Sequence, residues 1–219
     1  HFTPGPGGEI GQQMSRDQRI KGVTFTGSTE VAKQIQKTLV SRDTDVPVFI
    51  AETGGLNAMI VDSSALIEQV VDDIIESAFY SAGQRCSSLR VLYLQEEIAD
   101  NLLKMLIGAM QQLVIGNPWE LNTDIGPVID SSAYKTITAH IKKMKLESTL
   151  LHGCDIQPQA TERNLISPHL FLLDNISQLG EEIFGPVLHV TRYKKENIEE
   201  VIKQINETGF GLTLGIHSR

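Results

Sequence analysis

Between Gly22 and Leu39 the spacing of apolar residues changes period, and that change restricts what the chain can become. In "GVTFTGSTEVAKQIQKTL", Val23 to Thr26 reads as a short strand and Gly27 as a tight turn. Val31, Ile35 and Leu39 then recur every fourth position, as on one face of a helix. Strand, glycine, helix is a βα unit. "VPVFIAETGGLNAMIVD" carries an unbroken apolar stretch, Val46 to Ala51, of the kind buried on both faces of a parallel sheet, and a second strand from Ala58 to Val61. "SSALIEQVVDDIIESAFY" predicts a serine-capped helix with Leu66, Val70, Ile74 and Ala78 on one stripe. A strand over Leu89 to Leu94 follows, then a helix from about Ile98 to Val114 with Leu102, Leu106, Ala109 and Leu113 inward. After a punctuated loop come a helix near Ser131 to Lys145, a turn-rich segment to Ser167, and the strand Leu170 to Leu173. "EEIFGPVLHVTRY" feeds a further strand, and a helix occupies about Ile198 to Asn206. Such alternation specifies an α/β fold.

A chain of 219 residues is long enough for one sizeable core or two modest ones. With 19 Lys+Arg against 27 Asp+Glu and no basic run, it offers no nucleic-acid surface. No stretch approaches the ~18 apolar residues of a membrane span, and the opening lacks the layout of a signal peptide. A cytoplasmic setting is the expectation. The two cysteines stand in no CxxC spacing, and no histidine lies two to five residues from another, so neither a metal site nor a disulfide is expected. The chain begins without methionine and stops in what reads as a strand, so a piece of a longer protein is expected.

"SAGQRCSSLR" places Cys86 between a helix and a strand, beside Arg85. A free thiol with a pKa near 8.5 is a weak nucleophile at neutral pH unless a cation or amide helps, and Arg85 is a candidate cation. A buried packing thiol is the alternative. Cys154, in "LHGCDIQ", has no such frame and reads as packing. Glu52 closes an apolar strand and faces the Gly54-Gly55 turn, where partial desolvation would suit a general base; a solvated or capping carboxylate is the alternative. A cysteine and a glutamate at element ends match acyl-thioester chemistry. Ser28 opens a helix whose free N–H groups favour an anion, or it is a plain N-cap. The opening glycines Gly5, Gly7, Gly8 and Gly11 allow a phosphate-cradling loop or simple Gly-Pro turns.

"FTGSTEVA", "ETGGLNAMIV", "SAGQRCSSLRV" and "EEIFGPVLHV", in this order and spacing, resemble the signatures of the NAD(P)-dependent aldehyde dehydrogenase superfamily. "AETGGLNAMIVDSSALIEQVV", "AFYSAGQRCSSLRVLYLQEE" and "TGFGLTLGIHSR" resemble the L-glutamate-γ-semialdehyde (1-pyrroline-5-carboxylate) dehydrogenase region of bifunctional proline utilization A proteins. The likeness covers essentially the whole chain and is weakest over Lys145 to Asn164. It implies the end of a Rossmann-type cofactor domain in residues 1–53, followed by most of an α/β catalytic domain in residues 54–219.

The resemblance makes Cys86 the nucleophile that forms a thiohemiacetal and then a thioester, and Glu52 the base that activates the deacylating water. Gly27 and Ser28 match the turn on which the cofactor pyrophosphate lies, and Thr53 and Gly54 the lining of the nicotinamide pocket. Glu182 and Phe184 match positions that hold the nicotinamide ribose and pack beside the nicotinamide, and Ser87 one that helps bind the substrate carboxylate. NAD is the implied cofactor, although the choice against NADP is not legible here. FAD would enter only with a proline dehydrogenase domain elsewhere. The implied partners are a small-molecule aldehyde and further copies in a homo-oligomer. The family's oxyanion asparagine, adenosine-ribose lysine and carboxylate-clamping glycine loop match nothing in these residues, so the isolated chain is expected to be inactive. The alternatives are another aldehyde specificity, a cofactor-free thiol hydrolase or a non-catalytic assembly piece.

Overall fold

The βα unit around Gly27 is present, and a helix precedes it. The computed structural model describes residues 1–158 and 160–219. Its first unit, His1–Gly54, runs α1 (Gly7–Arg16), β1 (Gly22–Gly27), α2 (Thr29–Val40) and β2 (Val48–Thr53). β1 and β2 pair in parallel from Gly22↔Val48 to Gly27↔Thr53. Ser28 caps α2, its hydroxyl accepting from the Val31 amide at 3.3 Å. Arg42 ties the α1–β1 connection together by donating to the carbonyls of Asp17 at 2.8 Å and Ile20 at 2.9 Å.

Three expectations for this unit are corrected. Gly7, Gly8 and Gly11 belong to α1 and not to a cradling loop, and no atom lies within 4 Å of where a Cβ would stand at any of them. The buried stripe of α2 is Ala32 and Leu39, with Val31 left 41% exposed: the 3.6-residue period rotates the stripe away from a strict four-residue repeat. β2 is not covered on both faces, since Val46, Val48 and Ile50 are exposed. Two strands and two helices do not enclose it.

The second unit, Gly55–Arg219, runs β3 (Ala58–Val61), α3 (Ile67–Phe79), β4 (Val91–Gln95), α4 (Glu96–Met110), α5 (Ser131–Glu147), β5 (Thr149–Gly153), β6 (His169–Leu172), β7 (Val187–Tyr193), α6 (Ile198–Glu207) and β8 (Leu214–His217). The six strands form one sheet in the order β5-β6-β7-β4-β3-β8. Every pairing is parallel except β5 with β6. β3 and β4 are buried along their whole length, as strands covered on both faces must be. Phe79, Tyr93, Leu102, Leu106 and Phe171 are at most 1% exposed, and side chains of this size contribute about 1.5–3 kcal/mol each on burial.

α3 buries Val70, Ile74 and Ala78 as its spacing requires, but it is capped by Leu66 without a side-chain bond. The serines are used elsewhere: the Ser64 hydroxyl and amide both bond the Asp62 carboxylate. β5 lies inside the segment read as turns: it is an antiparallel edge strand with no fully buried residue, so it carries no buried apolar run to mark it. The strand beginnings of β7, β4, β3 and β8 stand side by side, since His189 pairs with Val91, Val91 with Ala58, and Ala58 with Leu214. Loops entering these four strands are therefore neighbours. No helix among the described residues is long and apolar enough to cross a membrane.

Candidate active site

Cys86 lies in the loop that enters β4. The approach is strained: Ser81, Ala82 and Gly83 have φ of 59°, 53° and 65°, a left-handed conformation that costs a non-glycine residue about 1–2 kcal/mol. Gly83 must be glycine, because a Cβ there would stand 2.2 Å from the Gly185 carbonyl oxygen. The chain then turns at Cys86, which is half-buried, and exposes Ser87, while Ser88 and Arg90 are buried.

Asn57, buried at the entry to β3, holds this turn from the neighbouring strand. Its Nδ2 donates to the carbonyls of Cys86 at 2.6 Å and Ser88 at 2.9 Å. Its Oδ1 accepts from the Thr213 amide at 3.3 Å, and its carbonyl accepts from the amides of Arg90 and Val91. One side chain thus joins the entries of β3, β4 and β8. Among the described residues the Cys86 amide donates to no acceptor.

Arg90 does the same toward β7. Its Nη1 donates to the carbonyls of Gly83 at 2.7 Å and Gly185 at 3.3 Å. Its Nη2 donates to the Arg85 carbonyl at 3.1 Å and to Glu182 Oε1 at 3.0 Å. The guanidinium carbon lies 5.4 Å from the centre of the Phe184 ring, within cation–π range. Burial pulls Arg90 below its ordinary pKa, while Glu182 and, less strongly, Cys86 favour its charge; an arginine so paired stays protonated. The second oxygen of Glu182 accepts from the Gly55 amide at 3.1 Å. Arg85, the cation expected to serve Cys86, donates instead to the Glu76 carbonyl at 2.6 Å. Arg90, not Arg85, is the buried cation of this turn.

Cys154 behaves as a packing thiol. Its Sγ donates to the Met110 carbonyl at 3.2 Å, and burial, with a smaller contribution from Asp155, pushes its pKa up to about 11.

The remaining candidates belong to the first unit. Glu52 and Thr53 pair with Thr26 and Gly27 at the ends of β2 and β1. Glu52 is exposed, so the desolvation inferred from its apolar strand is not present within this unit; its neighbours Ala51 and Thr26 are also exposed. At Gly27 the backbone is bare, and the tip of the Phe25 ring occupies the space where a Cβ would stand. The next two amides, of Thr29 and Glu30, begin α2 with no intrahelical acceptor. A bare turn leading to open helix amides is chemistry that fits a dinucleotide pyrophosphate.

In the second unit a cavity of about 580 Å³ opens between α5 and the loop before Glu182, reaching Thr136, His140, Gln178 and Glu181. A smaller one, of about 340 Å³, is bounded by Ser87, Arg85, Asp73 and His217. Neither Asn57 nor Arg90 was a sequence candidate. The only signal each offers is a polar residue at the mouth of an apolar strand, in "GGLNAMIV" and "SSLRVLYL".

The model of the aldehyde dehydrogenase family matches residues 1–219. The bifunctional protein PutA of Escherichia coli K12 is 52% identical over 227 residues, covering 100% of this chain and 17% of that protein. A 1-pyrroline-5-carboxylate dehydrogenase of Anoxybacillus flavithermus is 33% identical, covering 97% of this chain and 42% of its own length. A crystal structure of a bifunctional proline utilization A (PutA) protein superposes with a TM-score of 0.93 at 50% identity, covering 96% of this chain and 21% of that one. The chain thus spans about a sixth of the PutA protein it matches. With a family match from end to end and a fold that agrees at half identity, this chain belongs to the aldehyde dehydrogenase family.

Proposed function

We propose that these residues serve, within a longer PutA-like polypeptide, in the NAD-dependent oxidation of L-glutamate γ-semialdehyde to L-glutamate, the second step of proline catabolism. The observation that carries this reading is the placement of Cys86 on a turn fastened by Asn57 and by Arg90, whose guanidinium reaches Glu182 and Phe184. The kinship with PutA proteins and a 1-pyrroline-5-carboxylate dehydrogenase supports the substrate.

The Cys86 sulfur attacks the aldehyde carbon, a carbon–sulfur bond forms, and the carbonyl electron pair moves to oxygen. The unpaired Cys86 amide stabilises that oxyanion, a contact whose loss typically costs about 3 kcal/mol. The carbonyl re-forms as the carbon gives up a hydride, leaving a thioester on Cys86; a nicotinamide dinucleotide, when bound, would be the acceptor of that hydride. Gly27 and the start of α2 would hold its pyrophosphate, Thr53 and Gly54 would line the nicotinamide pocket, Glu182 would accept from the ribose and Phe184 would pack beside the ring. The resulting thioester on Cys86 is hydrolysed by water that Glu52 deprotonates, releasing the carboxylic acid and restoring the thiol. Ser87 binds the substrate carboxylate.

The protein works in the cytoplasm as a homo-oligomer, a reading that rests on the kinship with PutA proteins. The 219-residue chain alone is inactive, because the resemblance assigns the oxyanion asparagine and the carboxylate clamp to other residues. In the full-length protein, Cys86→Ala abolishes semialdehyde oxidation while NAD+ still binds. Oxidation at an unchanged rate in that variant would overturn the proposal.

A further inference from the structure

We infer that Arg90 is a positioning residue that locks the Cys86 turn and the Glu182–Gly185 loop into one frame, fixing the nucleophile relative to the groups proposed to hold the nicotinamide. The inference rests on the reading of Cys86 as nucleophile. Its evidence is a division of labour within a single side chain. Two of the acceptors, the carbonyls of Gly83 and Arg85, lie on the stretch that leads directly into Cys86 on its own loop. The other two, the Gly185 carbonyl and the Glu182 carboxylate, belong to the loop entering β7. The planar fork of a guanidinium serves four acceptors on two loops at once, which the point charge of a lysine does not. Arg90 is 1% exposed and its Nε has no partner, so the side chain is held by these four contacts and by Phe184.

The two loops enter the adjacent strands β4 and β7, and Arg90 is the side chain that bonds both. Gly83 and Gly185 touch through bare backbone, and Arg90 donates to the carbonyls of both. Misplacing a nucleophile by about 1 Å costs on the order of a hundredfold in rate. The frame therefore affects the chemical step more than substrate capture.

The charge of Arg90 gives a readout that loop loosening alone does not move. Cys86 in the full-length protein is alkylated with neutral iodoacetamide and with anionic iodoacetate, and its peptide is quantified by mass spectrometry. The ratio of the two rates cancels accessibility and reports local charge. Arg90→Met, which removes the cation and leaves the Glu182 carboxylate, lowers the iodoacetate-to-iodoacetamide ratio about three- to tenfold, a Coulomb effect at close range. Arg90→Lys preserves the ratio. Glu182→Gln, which spares the cation, raises it, so a failure of Arg90→Met to fold still leaves a signed test.

In the full-length protein, Arg90→Lys lowers kcat about 10–100-fold per titratable Cys86 and moves KM less than about threefold. An unchanged alkylation ratio in Arg90→Met, or in Glu182→Gln if the former does not fold, overturns the inference. So does a normal kcat in Arg90→Lys. If the wild-type protein oxidises no aldehyde, the proposed function falls, and the alkylation ratio still decides the place of Arg90.

Discussion

Replacing Gly83 by alanine tests the contact between the two loops more directly than any charge change. Gly83 has φ of 65°, and a Cβ there would meet the Gly185 carbonyl oxygen at 2.2 Å, the Gly185 carbonyl carbon at 2.5 Å and the Ala78 carbonyl at 3.0 Å. The left-handed backbone alone costs alanine about 1–2 kcal/mol. Overpacking against backbone that cannot rotate away adds about 1–3 kcal/mol, so the total loss is about 2–5 kcal/mol. Two other glycines separate these contributions. Gly209 has φ of 73° but nothing within 4 Å of its Cβ position, so Gly209→Ala suffers only the backbone cost. Gly108 lies within α4 with open space around it, so Gly108→Ala stabilises by roughly 0.5–1 kcal/mol. Urea denaturation of the chain followed by far-ultraviolet circular dichroism ranks the three. With a slope of about 2 kcal/mol per molar urea, Gly83→Ala lowers the midpoint by roughly 1–2.5 M. Equal shifts for Gly83→Ala and Gly209→Ala would refute the close approach of the loops.

Two further outcomes follow from buried titratable groups. His189 Nδ1 lies 3.1 Å from the Arg90 carbonyl and so carries the proton there, and its Nε2 accepts from His140 Nε2 at 2.9 Å. Burial pushes His189 down to about 3 and His140 down to about 4. The unfolded chain takes up these protons as pH falls below about 6.5 and the folded chain does not, so stability is full above that pH and declines through the window down to pH 3. His189 alone accounts for about 2 kcal/mol by pH 5, seen as a falling urea midpoint that His189→Gln flattens; a midpoint constant from pH 7 to pH 5 would contradict this. Cys154, pushed up to about 11 and bonded to Met110, is alkylated at pH 7.5 at least tenfold more slowly than a free thiol, since the thiolate is the reacting form. Peptide mass spectrometry showing Cys154 labelled at the rate of free cysteine would exclude its packing role.

The fold was legible where periodicity has a single interpretation. The β1–Gly27–α2 unit, the Ser28 cap and the buried strands β3 and β4 follow from local spacing, because each element satisfies its backbone within itself or against an apolar neighbour. Local signals also misled. Pro4, Gly5 and Pro6 punctuate a segment that becomes helical one residue later, and Ser64, before α3, bonds Asp62 instead of capping it. Cys86 stood out through its turn, but the residues that hold the turn did not. Arg90 meets Glu182 across 92 positions, and Gly55 meets Glu182 across 127. No window of sequence contains both partners of such contacts, and only the adjacency of strand entries in the sheet brings them together. The burial of β2 was misjudged for a related reason: an apolar run reports a capacity to be covered, and the helices of its own unit leave Val48 and Ile50 exposed.

The central claim is that a thioester forms on Cys86 and that Glu52 drives its hydrolysis. Full-length protein bearing Glu52→Gln, incubated with L-glutamate γ-semialdehyde and NAD+, quenched in acid and digested, reports this by peptide mass spectrometry. The account predicts a glutamyl adduct that accumulates on Cys86, with a single burst of NADH and slow turnover thereafter. An unmodified Cys86 peptide with undiminished turnover, or an adduct on another residue, would contradict it.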